Sequence, residues 1–132
     1  MPVYPTAAAV TAASIAILNA LLVTYVGAGR FKYKTSLGDG GHDALNRRIR
    51  MHGNLAENAP LFLILLALVE MTGEHGRFVW FLGPVFVVLR LVHAVGLSEA
   101  VSPGPNLFRG IGAAGTMICQ LVLAVIAIAD RL

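Results

Sequence analysis

The stretch from Met1 to Gly29 contains no charged side chain, and within it Ala7 to Val26 is apolar enough and long enough to cross the ~30 Å hydrocarbon layer of a bilayer as a helix. Three more runs of this kind follow. Ala59 to Val69 forms the apolar half of a longer helix predicted between Ala44 and Met71, and Phe78 to Leu97 and Leu107 to Ala129 complete the set. In lipid every backbone N–H and C=O needs a partner within the chain, which favours helices over open strands. Composition agrees: 57% of residues are hydrophobic and 13% are charged, about half the charged share of a soluble domain. A soluble protein of 132 residues could not cover that much apolar surface with so few charges. The expectation is an all-α, four-helix transmembrane bundle of left-handed twist, forming one domain over residues 1–132.

The connections carry the punctuation. Gly27 and Gly29, followed by Arg30, Lys32 and Lys34, are expected to end the first helix. Ser36 to Gly41 reads as a loop, with Asp43 as the N-cap of the second helix. Pro60 lies inside that helix, where its missing N–H favours a kink. Thr72 to Gly76 forms a hairpin, and Ser98 to Asn106, with Pro103 and Pro105, forms the third loop. Gly110, Gly112, Ala114, Gly115 and Thr116 offer the fourth helix a small-residue face for close packing.

Charge is distributed unequally between the two membrane faces. The face with the first and third loops carries Arg30, Lys32, Lys34, Arg47, Arg48, Arg50 and Arg109, whereas the other has only Arg77 and Arg131. The positive-inside rule makes the crowded face cytoplasmic and puts both termini on the other side. The net charge of +3 is no nucleic-acid signature, because the basic residues gather at helix ends rather than along a stripe. No basic segment precedes the first apolar run, so a cleavable signal peptide is not expected. Cys119, the single cysteine, excludes an internal disulfide and reads as a small packed hydrophobe, and metal-ligand spacing is absent.

Polar groups close to hydrocarbon are costly and so draw attention. Arg47, Arg50, Asn54, Glu57 and Asn58 share an arc of about 100° on the second helix at 100° per residue. Guanidinium groups pair bidentately with carboxylates, and a glutamate accepts from an ammonium group, so this stripe suits an anionic, peptide-like ligand. The alternative is an interhelical polar network or headgroup contact. Arg48 and His52 point elsewhere, which favours snorkelling or packing. Arg90 and His93 share a face of the third helix; Arg90 either neutralises Glu57 or meets a ligand. Arg109 opens the fourth helix at the same depth, while Glu70, Glu74 and His75 are expected to be solvated rim residues at the opposite face.

The run Arg47-Arg-Ile-Arg-Met-His-Gly-Asn-Leu-Ala-Glu-Asn-Ala-Pro60 resembles the signature of the MAPEG family, the membrane-associated proteins of eicosanoid and glutathione metabolism. Arg90-Leu-Val-His93 resembles that family's third-helix motif, and Tyr33 to Gly41 looks like the loop of its small bacterial members. The resemblance spans essentially the whole chain. It implies a multi-pass protein of the bacterial inner membrane, assembled as a homotrimer with glutathione as co-substrate bound between neighbouring subunits. Arg50, Asn54, Glu57 and His93 match glutathione-contacting positions. Arg30 and Arg109 fall near family arginines, the latter credited with activating the thiol, and Arg47, Asn58 and Arg90 join the candidate binding set. The partner substrate would be an apolar electrophile or lipid hydroperoxide arriving from membrane lipid. Two departures stand out: Leu97 replaces a tyrosine of several members, and Gly110 replaces a serine of the prostaglandin synthase.

Three other readings compete. A proton-coupled exporter needs a carboxylate in a substrate path, but the first helix has none and Glu57 sits among arginines. A haem carrier could use His52 and His93, but His52 points away from the polar face. A catalytically silent relative would bind glutathione or lipid without turnover.

Overall fold

The computed structural model describes residues 4–98, 101 and 104–129. Among them are four helices, each long and apolar enough to cross a membrane, and no strands. The first, α1 (Thr6–Lys32), continues through Gly27 and Gly29, beyond its expected end. Each glycine costs a helix about 1 kcal/mol relative to alanine, so a tertiary contact must offset it. At Gly29 that contact is visible: an added Cβ would sit 2.9 Å from Leu45 Cδ1 and 3.1 Å from Arg48 Cδ. The glycine lets α1 approach the next helix rather than stopping the chain. Arg30 and Lys32 occupy the last turn, where cations complement the helix dipole.

The second helix, α2 (Asp43–Thr72), runs unbroken past Gly53 and Pro60 and ends at Gly73 in the left-handed region, with φ 82°. Asp43 is not its N-cap, contrary to expectation. His42 holds that position with extended backbone and no side-chain cap, and Asp43 lies one residue inside, where its negative charge faces the positive end of the helix. The third, α3 (Gly76–Leu97), begins two residues before Phe78, and the fourth, α4 (Leu107–Ala129), matches its predicted span.

Helix α1 packs on α2 and α3, α4 also packs on α2 and α3, and α1 and α4 do not touch. The shared α2–α3 diagonal holds the core, where Phe62 and Phe86 stack with ring centroids 3.7 Å apart beside fully buried Leu66, Val69, Val79 and Leu123. Large apolar side chains also cover the outside, including Ile17, Leu21, Phe81, Leu121, Val125 and Ile128. That outer coat is suited to lipid rather than water.

The small residues of α4 divide by role. A Cβ on Gly112 would lie 2.5 Å from His93 Cβ, and one on Gly115 would lie 2.5 Å from Leu89 Cδ2, so both permit close contact with α3. Gly110 has open space around it. Cys119 is buried as a free thiol.

Glu70 corrects the sequence reading. It is 5% exposed, not a solvated rim residue, and its two carboxylate oxygens accept the backbone N–H groups of Ala7 and Ala8, each at 2.8 Å. The first turn of a helix has N–H groups with no intrahelical partner, and α1 has no side-chain cap of its own.

Candidate functional site

The first turns of α2 and α4 lie beside the end of α3 and enclose a cavity of about 280 Å³. Asp43, Asn46, Arg47 and Arg50 line it from α2, Gly96 and Leu97 from α3, and Arg109 from α4. Three guanidiniums therefore meet one carboxylate. The excess of positive charge is reinforced by the N-terminus of α4, whose free N–H groups also favour an anion. Asn106 shapes this end: its Oδ1 accepts the N–H of Arg109 at 3.0 Å, while its Nδ2 donates to the Gly96 carbonyl at 2.8 Å. One side chain thus caps α4 and ties it to the last turn of α3.

Arg47 and Arg50 play different parts in the wall. Arg47 donates from Nη1 to the carbonyls of Ser98 (3.1 Å) and Val101 (3.2 Å), bracing the α3–α4 connection. Arg50 is exposed, and among the described residues its guanidinium has no hydrogen-bond or ion-pair partner within the chain. Glu57 is exposed and equally unpaired. The charges of both face outward from the single chain.

Below Arg50 a ladder of amides descends along α2. Asn54 Nδ2 donates to the Arg50 carbonyl at 2.8 Å, Asn58 Nδ2 to the Asn54 carbonyl at 2.9 Å, and Gln120 Nε2 of α4 to the Asn58 carbonyl at 2.9 Å. Gln120 escaped the sequence reading because it stands alone in an apolar run. Asp43 escaped as a cavity residue although it falls on the same helical arc as Arg50.

Arg90 and His93 lie elsewhere. Arg90 is 3% exposed and donates from Nη2 to the Gly112 carbonyl at 2.5 Å, so it secures α3 to α4 instead of neutralising Glu57. His93 Nδ1 donates to the Arg109 carbonyl at 3.2 Å, with the ring buried between the same two helices. Neither lines the cavity, although His93 holds the backbone of the arginine that does. Arg30 is also outside it, donating from Nη1 to the carbonyls of Ser36 and Gly38, both at 3.0 Å, across the α1–α2 loop. Arg48 stacks on Tyr25, its guanidinium 4.0 Å from the ring centroid, which is the packing role expected of it.

The family model for MAPEG matches residues 8–129, nearly the full length of the chain. The chain belongs to the MAPEG family. It is also similar to the inner membrane protein YecN of Escherichia coli K12, with 34% identity over 98 residues, covering 74% of this chain and 71% of the relative. YecN of Escherichia coli O6:H1 matches to the same degree. With its four apolar helices, this MAPEG chain is a multi-pass membrane protein, and the YecN likeness supports the inner membrane as its location. Within the MAPEG frame, Leu97 lines the cavity with an aliphatic side chain, and Gly110 sits one residue beyond Arg109 with nothing near it. Neither supplies a hydroxyl.

Proposed function

We propose that this MAPEG protein binds glutathione at the cavity walled by Arg47, Arg50 and Arg109 and activates its thiol for transfer or peroxide reduction. The observation that carries the reading is the convergence of three guanidiniums from two helices on one pocket containing a single carboxylate. Glutathione has two carboxylates, an ammonium and a thiol. Guanidiniums match the first, acidic side chains the second, and Arg109 at the positive end of α4 suits an anionic sulfur.

A free thiol has a pKa of ~8.5, so only a few per cent is ionised at neutral pH. A cation beside the sulfur favours the thiolate, which attacks an apolar electrophile to form a thioether and expel the leaving group as an anion. With a lipid hydroperoxide, two thiols are oxidised to a disulfide while the hydroperoxide is reduced to an alcohol and water. The oily outer coat provides the route for either substrate.

The assembly belongs to the same proposal: a homotrimer with the ligand at a subunit boundary. It is supported by Arg50 and Glu57, which carry unpaired charge on the outside of a membrane-spanning chain and call for a facing surface. The proposed orientation puts the cavity on the cytoplasmic side and both termini opposite.

The test is calorimetric titration of glutathione into detergent-solubilised protein, with thiolate followed by its ultraviolet absorbance. Saturable binding with a thiolate signal is expected; absence of both removes the enzymatic reading. A second reading, a relative that binds glutathione without turnover, is favoured by Leu97, which gives the cavity wall no hydroxyl. Binding without thiolate or product formation would select it.

A further inference from the structure

At the same membrane face, but on the opposite side of the bundle from the guanidinium cavity, the end of α1 borders an open hollow of about 660 Å³. Gly27, Arg30, Phe31, Lys34, Thr35 and Ser36 line it. Two cations and two hydroxyl side chains occur together there with no carboxylate. Phe31 is 89% exposed and Leu37 is 84% exposed, so large apolar side chains flank the cations on both sides. Such chains are stable where they dip into lipid, which puts Lys32 and Lys34 at headgroup level.

The backbone adds an independent observation. Lys34 has φ 51°, the only described non-glycine residue in the left-handed region. A lysine there carries a steric cost that glycine would avoid, and such strain persists where surrounding structure over-determines it. The end of α1 supplies that structure: the Thr35 N–H bonds back to the Arg30 carbonyl at 3.0 Å around Lys34, and the Arg30 guanidinium adds bonds to the Ser36 and Gly38 carbonyls. The chain retains a cation where its backbone favours glycine.

We propose that this hollow is a binding site for the phosphodiester headgroup of an anionic phospholipid, with Lys34 as the main contact. Ser36 supplies a hydroxyl donor, whereas the Thr35 hydroxyl already donates to the Tyr33 carbonyl at 3.0 Å, and Phe31 packs against the upper acyl chain. The site is separate from the proposed glutathione cavity and does not depend on that reading.

The strain at Lys34 makes the test clean, because Lys34→Gly removes the cation while relieving the backbone. Wild type and K34G would be reconstituted in nanodiscs of phosphatidylcholine with one fifth phosphatidylglycerol, extracted in mild detergent, and assayed for retained lipid by native mass spectrometry. Wild type should retain phosphatidylglycerol preferentially. K34G should lose about fivefold of that preference, the effect of one lysine near an anionic surface, with unchanged helicity and no loss of thermal stability. Lys34→Arg should retain it. Equal retention of the two lipids by wild type, or undiminished preference in K34G, overturns the proposal. Asp39→Asn in the K34G background restores the net charge of the loop outside the hollow, so recovery of the preference there would assign the effect to general surface potential and overturn the site. Displacement of the lipid by inorganic phosphate or glutathione, instead of by phosphatidylglycerol vesicles alone, would overturn it as well.

Discussion

The carboxylate of Glu70, near the end of α2, accepts the N–H groups of Ala7 and Ala8 at the start of α1, 63 and 62 residues away in sequence. A buried carboxylate thereby serves as the N-cap that the first helix, with no side-chain cap or acidic residue at its start, cannot supply for itself. Replacing Glu70 by alanine leaves two N–H groups without partners at a buried helix end. Hydrogen bonds to a charged group contribute about 1.5–3 kcal/mol. Glu70→Ala is expected to lower stability by that order in a detergent denaturation titration, with Glu70→Gln in between because its amide oxygen still accepts.

Gly112 and Gly110 make a paired test of the α3–α4 contact. A Cβ at Gly112 meets His93 Cβ at 2.5 Å, its Cα at 2.7 Å and its N at 2.8 Å, whereas a Cβ at Gly110 meets nothing within 4 Å. Gly112→Ala must push two backbones apart and should cost about 1–3 kcal/mol, as overpacking does. Gly110→Ala should leave stability unchanged or raise it by up to about 1 kcal/mol through helix propensity. Thermal melts in the same detergent compare them directly.

Gln120 joins the middle of α4 to the polar stripe of α2 through the Asn58 carbonyl. Hydrogen bonds between membrane helices average about 0.6 kcal/mol and reach about 1.7 kcal/mol. Gln120→Leu should lower stability within that range. A larger loss would mean that the amide ladder acts as one unit.

For the proposed chemistry, Arg109→Ala should reduce thiolate formation while leaving glutathione binding largely intact, since it removes an interaction made mainly with the charged sulfur. Arg50→Ala or Glu57→Ala should weaken binding itself, by about 1–3 kcal/mol for a charge-assisted contact. Titration calorimetry and thiolate absorbance separate the two effects. Full thiolate formation by Arg109→Ala would show that the sulfur lies elsewhere.

The proposed orientation is testable by fusing a reporter active only in the cytoplasm to Leu132. A silent fusion is expected, because seven basic residues gather at the face opposite the C-terminus. Strong signal would invert the orientation.

Hydrophobic length is a local property, and the bilayer demands it of each span separately. For that reason the four helices, the limits of α4 and the polar stripe from Arg47 to Asn58 were determined by sequence alone. The family signature was legible for the same reason, since its arginine, asparagine and glutamate follow one another along a single helix. Partners were not legible. A buried charge accepts any group that lowers its desolvation cost, and in sequence Arg90 and Glu57 looked complementary. Packing brought the Gly112 carbonyl to Arg90 instead, because two glycine-lined helix surfaces approach closely enough to expose a backbone acceptor. Likewise, only the fold turned Glu70 toward the first helix and His93 into the α3–α4 seam. The shared depth of Arg109 with Arg47 and Arg50 was legible, but only the fold kept Arg90 out of the cavity that they line. Which charged group meets which depends on how helices far apart in sequence pack, and no local pattern encodes that.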